Sequence, residues 1–235
     1  MPPRRSHPPS EQTTALSQGG CLSGFAIPPL AVLCVSGLLA FVWLGSMTSS
    51  APAAAADPVQ VNLAVPPDAG PLSPVFQPEV QYWNGPIHAW AAAAGLDPNL
   101  VATVMQIESC GDPRARSGAG AMGLFQVMPY HFTGADDPYD PDTNALRGLA
   151  YLKRSLEAAN GDVRLALAGY NGGIGVIGRS ELSWAGETQR YAYWGSGIYD
   201  EATNGVTVSL RLEEWMVTSG ASLCRQAHDR LGINP

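Results

Sequence analysis

Glu108 is the residue in this sequence best placed to do acid chemistry. It closes an apolar run, Leu100, Val101, Val104, Met105 and Ile107, whose spacing has a period near 3.6. It lies four residues after Val104 and three after Met105, so a helix would put its carboxyl on the buried stripe. Removal from water disfavours the charged form and raises a carboxyl pKa above its reference of about 4.3. A carboxyl protonated near neutral pH can hand its proton to a leaving group. The plainer alternative is the polar end of a core helix, or a carboxylate paired with a distant Arg. After Glu108 comes a loop rich in Gly and Ser that closes on Gly123-Leu124-Phe125-Gln126 and Met128-Pro129, which would set the acid beside a backbone-lined groove.

The elements that must position this group read as helices. Asp97 is a plausible N-cap and Pro98 fits the first helical position, where its missing N–H has no partner to lose, so a helix is expected over Pro98–Ser109. Before it, Ile87 to Ala94 forms a helix ended by Gly95. After the loop, Asp142 is expected to cap a helix with Ala145, Leu149, Leu152 and Leu156 on one face, stopped by Asn160-Gly161. Asp162 then caps a shorter one carrying Val163, Ala166, Leu167 and Tyr170, which delivers Tyr170-Asn171-Gly172-Gly173 to a loop. Glu187 to Tyr193 and Val208 to about Leu231 complete a mainly α pattern without a convincing strand pair.

Glu108-Ser109, Ser117, Gly123-Leu124-Phe125-Gln126, Met128-Pro129, Ala168-Gly169-Tyr170-Asn171-Gly172-Gly173 and Glu187-Thr188-Gln189-Arg190-Tyr191 occur in the order found in bacterial lytic transglycosylases. The stretch from about Trp83 to the C-terminus, roughly two-thirds of the chain, resembles their soluble-type (SLT) catalytic domain, which is related to goose-type lysozyme. The resemblance implies a lysozyme-like helical domain with a cleft, catalysis by Glu108, and contacts from Ser117 and Gln126 to the N-acetyl group and sugar of a muramoyl unit. It implies cleft-wall positions for Met128, Tyr170 and Tyr191, with core packing the alternative for Tyr191. Asn171 would belong to a loop closing over the sugar, and Glu187 would support the site from a buried position. Phe125 stands where many relatives have Met, and Gly169 where Ala is common.

Most glycosidases use two carboxylates, and here only Glu108 fits well. One acid suffices if the substrate's own N-acetyl carbonyl stabilises the developing charge, as in substrate-assisted glycosidases. Glu108 would protonate the oxygen leaving to N-acetylglucosamine and then take the proton of the muramoyl C6 hydroxyl, which attacks the anomeric carbon intramolecularly. The product is a 1,6-anhydro-muramoyl end. A hydrolytic muramidase using an aspartate from Asp136 to Asp142 is the rival enzyme, and a non-catalytic wall-binding module the rival class.

The net charge of −7 leaves no basic footprint for nucleic acid. No His–Cys pair suggests a metal, and no cofactor is implied. Asp140, Asp142 and Asn144 fit the first calcium-loop spacings, but Ala145 replaces the turn Gly and Tyr151 the bidentate Glu, so turns and caps explain these aspartates better.

Residues 1–26 read as a disordered cytoplasmic tail, and residues 27–47, uncharged and apolar, as one transmembrane helix. Arg4 and Arg5 precede it and no Lys or Arg follows until Arg114, which orients the remainder outward, as a single-pass membrane protein with its catalytic domain extracytoplasmic. It is read as a signal-anchor; cleavage within Ala51 to Ala56 is the alternative, and both fates export the domain. Residues 48–81 are a Pro/Ala-rich linker and residues 82–235 the catalytic domain. The partners implied are peptidoglycan strands and the membrane. Cys110 and Cys224 are an isolated pair in the exported part, where oxidation is permitted. A disulfide is expected, with separate thiols the alternative.

Overall fold

A computed structural model describes residues 70–233. The expected tail, membrane span and most of the linker lie outside them. Among the described residues no helix is long and apolar enough to cross a membrane.

The described part is mainly helical, and its first finding corrects the linker boundary. Leu72, Val75, Phe76 and Val80 are buried in the main core, and α1 (Pro78–Gln81) is a single helical turn within it. Three backbone N–H groups of this segment are held by side chains: Leu72 by Asn84 Oδ1 (3.1 Å), Ser73 by Asn99 Oδ1 (3.1 Å) and Gln77 by Gln106 Oε1 (3.0 Å). The Pro content of the stretch masked these four apolar anchors, so the packed domain begins about ten residues before position 82.

α2 (Asn84–Ala94) ends at Gly95, whose φ of 63° suits the left-handed stop. α3 (Pro98–Glu108) starts as expected, Asp97 Oδ1 accepting from the N–H groups of Asn99 and Leu100, and is buried from Leu100 through Gln106. It is the central rod, with α1, α2 and α6 packed against it.

α4 (Pro141–Ala158) is capped by Asp140 and not by Asp142: Asp140 Oδ1 accepts from Thr143 N at 2.9 Å, and Pro141 takes the first helical position. Asp142 instead accepts from Trp90 Nε1 at 2.7 Å, tying α4 to α2. Asn160 and Gly161 both have positive φ and turn the chain, and Asp162 caps α5 (Val163–Gly172) through Leu165 N. Tyr170 lies on this helix as expected, and Asn171 also sits in its last turn, where a loop was expected. Gly169, the departure from Ala, fits its packing: a Cβ there would lie 2.3 Å from Ser155 Oγ and 2.7 Å from Ile177 Cδ1.

α6 (Gly186–Thr203) runs well beyond the expected Glu187–Tyr193 and packs on α3 and α5. The expected single C-terminal helix is two, α7 (Leu210–Trp215) and α8 (Ala221–Leu231), joined by a wide π turn over Met216–Gly220. Leu212, Trp215, Gly220, Cys224 and Ala227 are buried. The step from Trp215 to Gly220 is five residues, so the wide turn keeps the inner faces of both halves on the core. Gly220 is needed there, since a Cβ would lie 2.3 Å from the Trp215 ring. A disulfide joins Cys110 to Cys224 and ties α8 to the end of α3.

Candidate active site

Glu108 is the last residue of α3, and its surroundings follow from how that helix stops. Ser109 is fully buried; its hydroxyl donates to Leu124 O (2.7 Å) and accepts from Gly111 N (3.1 Å). Cys110 and Gly111 then turn through positive φ, 50° and 88°. Gly111 is required, because a Cβ would meet the Glu79 carbonyl oxygen at 2.6 Å. The helix end is thus fixed, and the Glu108 carboxyl looks into a cleft of about 540 Å³.

Tyr191, from α6, donates its hydroxyl to Glu108 Oε1 at 2.8 Å. The other carboxyl oxygen has no hydrogen bond among the described residues. Burial drives the Glu108 pKa up to about 8; the Tyr191 hydrogen bond opposes this, and the nearby Glu187 charge adds to it. The carboxyl is therefore mostly protonated at neutral pH, with one oxygen steadied from behind and the other open to the cleft. The sign of a test follows. Tyr191→Phe removes the interaction that favours the carboxylate, so the Glu108 pKa rises further. The alkaline limb of the activity profile should move to higher pH while kcat falls, which a pH–rate profile of the variant checks.

The second wall is the loop from Ser117 to Met128. Gly123 has φ 74°, and a Cβ there would lie 2.3 Å from Asn144 Nδ2. Asn144 is the buried clamp of this loop: Oδ1 accepts from Phe125 N (2.9 Å), while Nδ2 donates to Met122 O (2.8 Å) and Pro138 O (2.9 Å). Isolated antiparallel bridges, Arg116 with Met122 and Met122 with Val127, complete the tie. Gln126, itself at φ 45°, donates through Nε2 to Ala115 O (3.2 Å) and Gly123 O (3.0 Å), which leaves its amide oxygen as an acceptor at the cleft. Ser117 Oγ accepts from Ala121 N (3.0 Å), so its proton is free to donate. Phe125 is fully buried, edge-on to Trp90 with centroids 6.0 Å apart, so this departure from the family pattern lies in the core and not on the cleft.

The third wall is the end of α5 and the start of α6. Tyr170 donates to Phe125 O at 2.7 Å, and its phenol is held well above its ordinary pKa by burial and by Glu108 and Tyr151. Asn171 Oδ1 accepts from Thr188 Oγ1 at 2.8 Å. Tyr130, His131, Tyr151, Tyr170 and Tyr191 form a row of rings with successive centroids 4.5, 4.8, 5.7 and 6.5 Å apart.

Of the residues singled out in the sequence, Glu108, Ser117, Gln126, Met128, Tyr170, Asn171 and Glu187 meet on this one cleft. Two placements differ from expectation. Glu187 is exposed on the cleft, not buried, because it lies in the first turn of α6. Tyr191, one turn further, is buried behind Glu108 and does not line the cleft. Asn144 and Thr188 were missed as positioning residues, and His131 and Tyr151 as wall residues. The string Tyr130-His131 after Met128-Pro129 was the available signal for the wall. The aspartates of the rival hydrolytic reading lie off the cleft: Asp136 is paired with Arg147 (2.9 Å), Asp137 accepts from Tyr139 N, and Asp140 and Asp142 are engaged as described.

The family model "Transglycosylase SLT domain" matches residues 85–192. A transglycosylase of Enterobacteria phage PRD1 is 42% identical over 114 residues, covering 48% of this chain and 40% of the relative. Membrane-bound lytic murein transglycosylase E of Buchnera aphidicola is 31% identical over 98 residues, covering 34% and 44%. An endo-type membrane-bound lytic murein transglycosylase A of Klebsiella pneumoniae is 35% identical over 101 residues, covering 34% and 48%. The chain thus spans less than half the length of each of these relatives. An inactive mutant of the lytic transglycosylase Slt from Pseudomonas aeruginosa aligns at 27% identity with a TM-score of 0.42, covering 51% of this chain and 24% of that one. The strings that build the cleft, from Glu108 to Tyr191, all lie within residues 85–192, the part of the chain that is similar to the transglycosylase SLT domain.

Proposed function

We propose that this protein is a membrane-anchored lytic transglycosylase that cleaves the β-1,4 bond between N-acetylmuramic acid and N-acetylglucosamine in peptidoglycan and leaves 1,6-anhydro-muramoyl ends. The observation that carries the reading is a single protonated carboxyl, Glu108, facing a cleft whose other polar groups suit an N-acetylated sugar. Glu108 gives its proton to the bridging oxygen. The resulting carboxylate, steadied by Tyr191, takes the proton of the C6 hydroxyl as that oxygen closes on the anomeric carbon. The Ser117 hydroxyl donates to, and the Gln126 amide oxygen accepts from, the N-acetyl group, Met128 and Tyr170 bound the sugar ring, and Asn171 lines the wall beside it. The domain is lysozyme-like in this reading, follows a single membrane span at residues 27–47, and works outside the cytoplasm.

Against the hydrolytic alternative stands the engagement of Asp136, Asp137, Asp140 and Asp142 elsewhere, which leaves none of them to position water at the cleft. The test is mass spectrometry of glycan digested by the purified exported part. Anhydro ends are expected, and reducing ends would establish a muramidase instead.

A further inference from the structure

The charges around the cleft are arranged unevenly. Its ionisable lining on the catalytic side is acidic, Glu108 and Glu187, and no Lys or Arg lines it among the described residues. On α4, the Arg154 guanidinium carbon stands 5.2 Å from the centroid of the Tyr151 ring, which does line the cleft. Arg154 is exposed and belongs to none of the ion pairs or side-chain hydrogen bonds of the described residues. Beside it, His131 lies with its ring 4.8 Å from Tyr151. Burial and the Arg154 charge hold the His131 pKa below its ordinary value, so His131 is a neutral stacking ring near pH 7 and the positive charge beside Tyr151 belongs to Arg154. An anionic group on a bound chain would be repelled by Glu187 and drawn to Arg154. The ring face of Tyr151 holds the guanidinium in place.

We propose that Arg154, seated on Tyr151 next to His131, is a specificity-determining residue that binds a carboxylate carried on the muramoyl unit of the glycan. This rests on the peptidoglycan reading and deepens it. Two carboxylates meet the chemistry: those of a peptide stem, and the lactyl acid exposed when the stem is removed. Either would set the direction in which the chain lies across Glu108.

The experiment compares wild type, Arg154→Ala and Arg154→Glu on three preparations of the same strands: with peptide stems, with stems removed to free the lactyl acid, and with all carboxylates capped as neutral methyl amides. Arg154→Ala should raise KM about three- to fivefold on a carboxylate-bearing preparation, with kcat little changed. Arg154→Glu should raise it further, and both variants should match wild type on the capped strands. The preparation that shows the effect names the source. An equal effect on capped and uncapped strands, or none on any, overturns the subsite. Failure of wild type to cleave all three would strike at the glycan reading itself. Because Arg154 is exposed, circular dichroism should show all variants folded.

Discussion

Glu108→Gln should abolish nearly all glycan cleavage, lowering kcat by about 10² to 10⁴-fold, while leaving the fold intact and binding of strands close to normal. Gln is an isostere that cannot donate a carboxyl proton, and nothing else on the cleft replaces it. Glu187 is exposed, and its pull on Glu108 is secondary to burial. The same substitution carries a second expectation of opposite sign. The folded-state pKa of Glu108, about 8, lies above the ordinary 4.5, so the folded chain holds a proton that the unfolded chain releases. Stability from this group is fully present below pH 4.5 and is lost as pH rises through about 8. Glu108→Gln removes that slope. The variant should therefore be more stable than wild type at pH 8, the gap closing toward pH 4.5, as denaturant melts at several pH values would show. Loss of both activity and stability at pH 8 would mean the residue is structural.

The other large effect belongs to the disulfide. Cys110 and Cys224 are 114 residues apart in sequence, and on the loop-entropy view closing so long a loop stabilises the fold by about 5 kcal/mol. The double variant Cys110→Ser, Cys224→Ser should melt roughly 10 °C lower. Activity should suffer at temperatures well below that melt, because the bridge begins two residues after Glu108. Gln106 Nε2 donates to Cys110 Sγ (3.1 Å) and lies 3.5 Å from Cys224 Sγ, and Gln106 Oε1 holds Gln77 N, so one buried amide couples the bridge, the end of α3 and the N-terminal segment. Calorimetry of the oxidised and doubly substituted proteins measures the first effect, and initial rates at 20 °C the second.

How much of this could be read from residues alone depends on whether the signal was local. Asp97-Pro98 and Asp162 announced their helices because a cap acts on N–H groups two or three residues away. The same logic applied to Asp140-Pro141 would have placed the α4 cap correctly; choosing Asp142 ignored the Pro that fixes the first turn. Glu108 was legible because the period of its helix put it on the buried face. The roles of Glu187 and Tyr191 were not. They are four residues apart on one face of α6, so spacing points both at the site, yet one helical turn of about 5.4 Å separates the cleft rim from the layer behind Glu108. That depth is set by how α6 crosses α3, which no local pattern encodes. Asn144 was similarly hidden, since its three partners are backbone groups of Met122, Phe125 and Pro138. Leu72, Val75, Phe76 and Val80 were hidden by averaging: four anchors among prolines look like linker until the core they enter is known.

The central claim is that Glu108 is kept protonated by its surroundings, and the most direct measurement is a titration of its carboxyl carbon by NMR in protein labelled with ¹³C at glutamate side chains, with Glu108→Gln used to assign the resonance. A midpoint near 8, moving higher in Tyr191→Phe, is the expected result. A midpoint near the ordinary 4.5 would mean the group is a carboxylate at neutral pH, and this cleft would then lack the acid its chemistry requires.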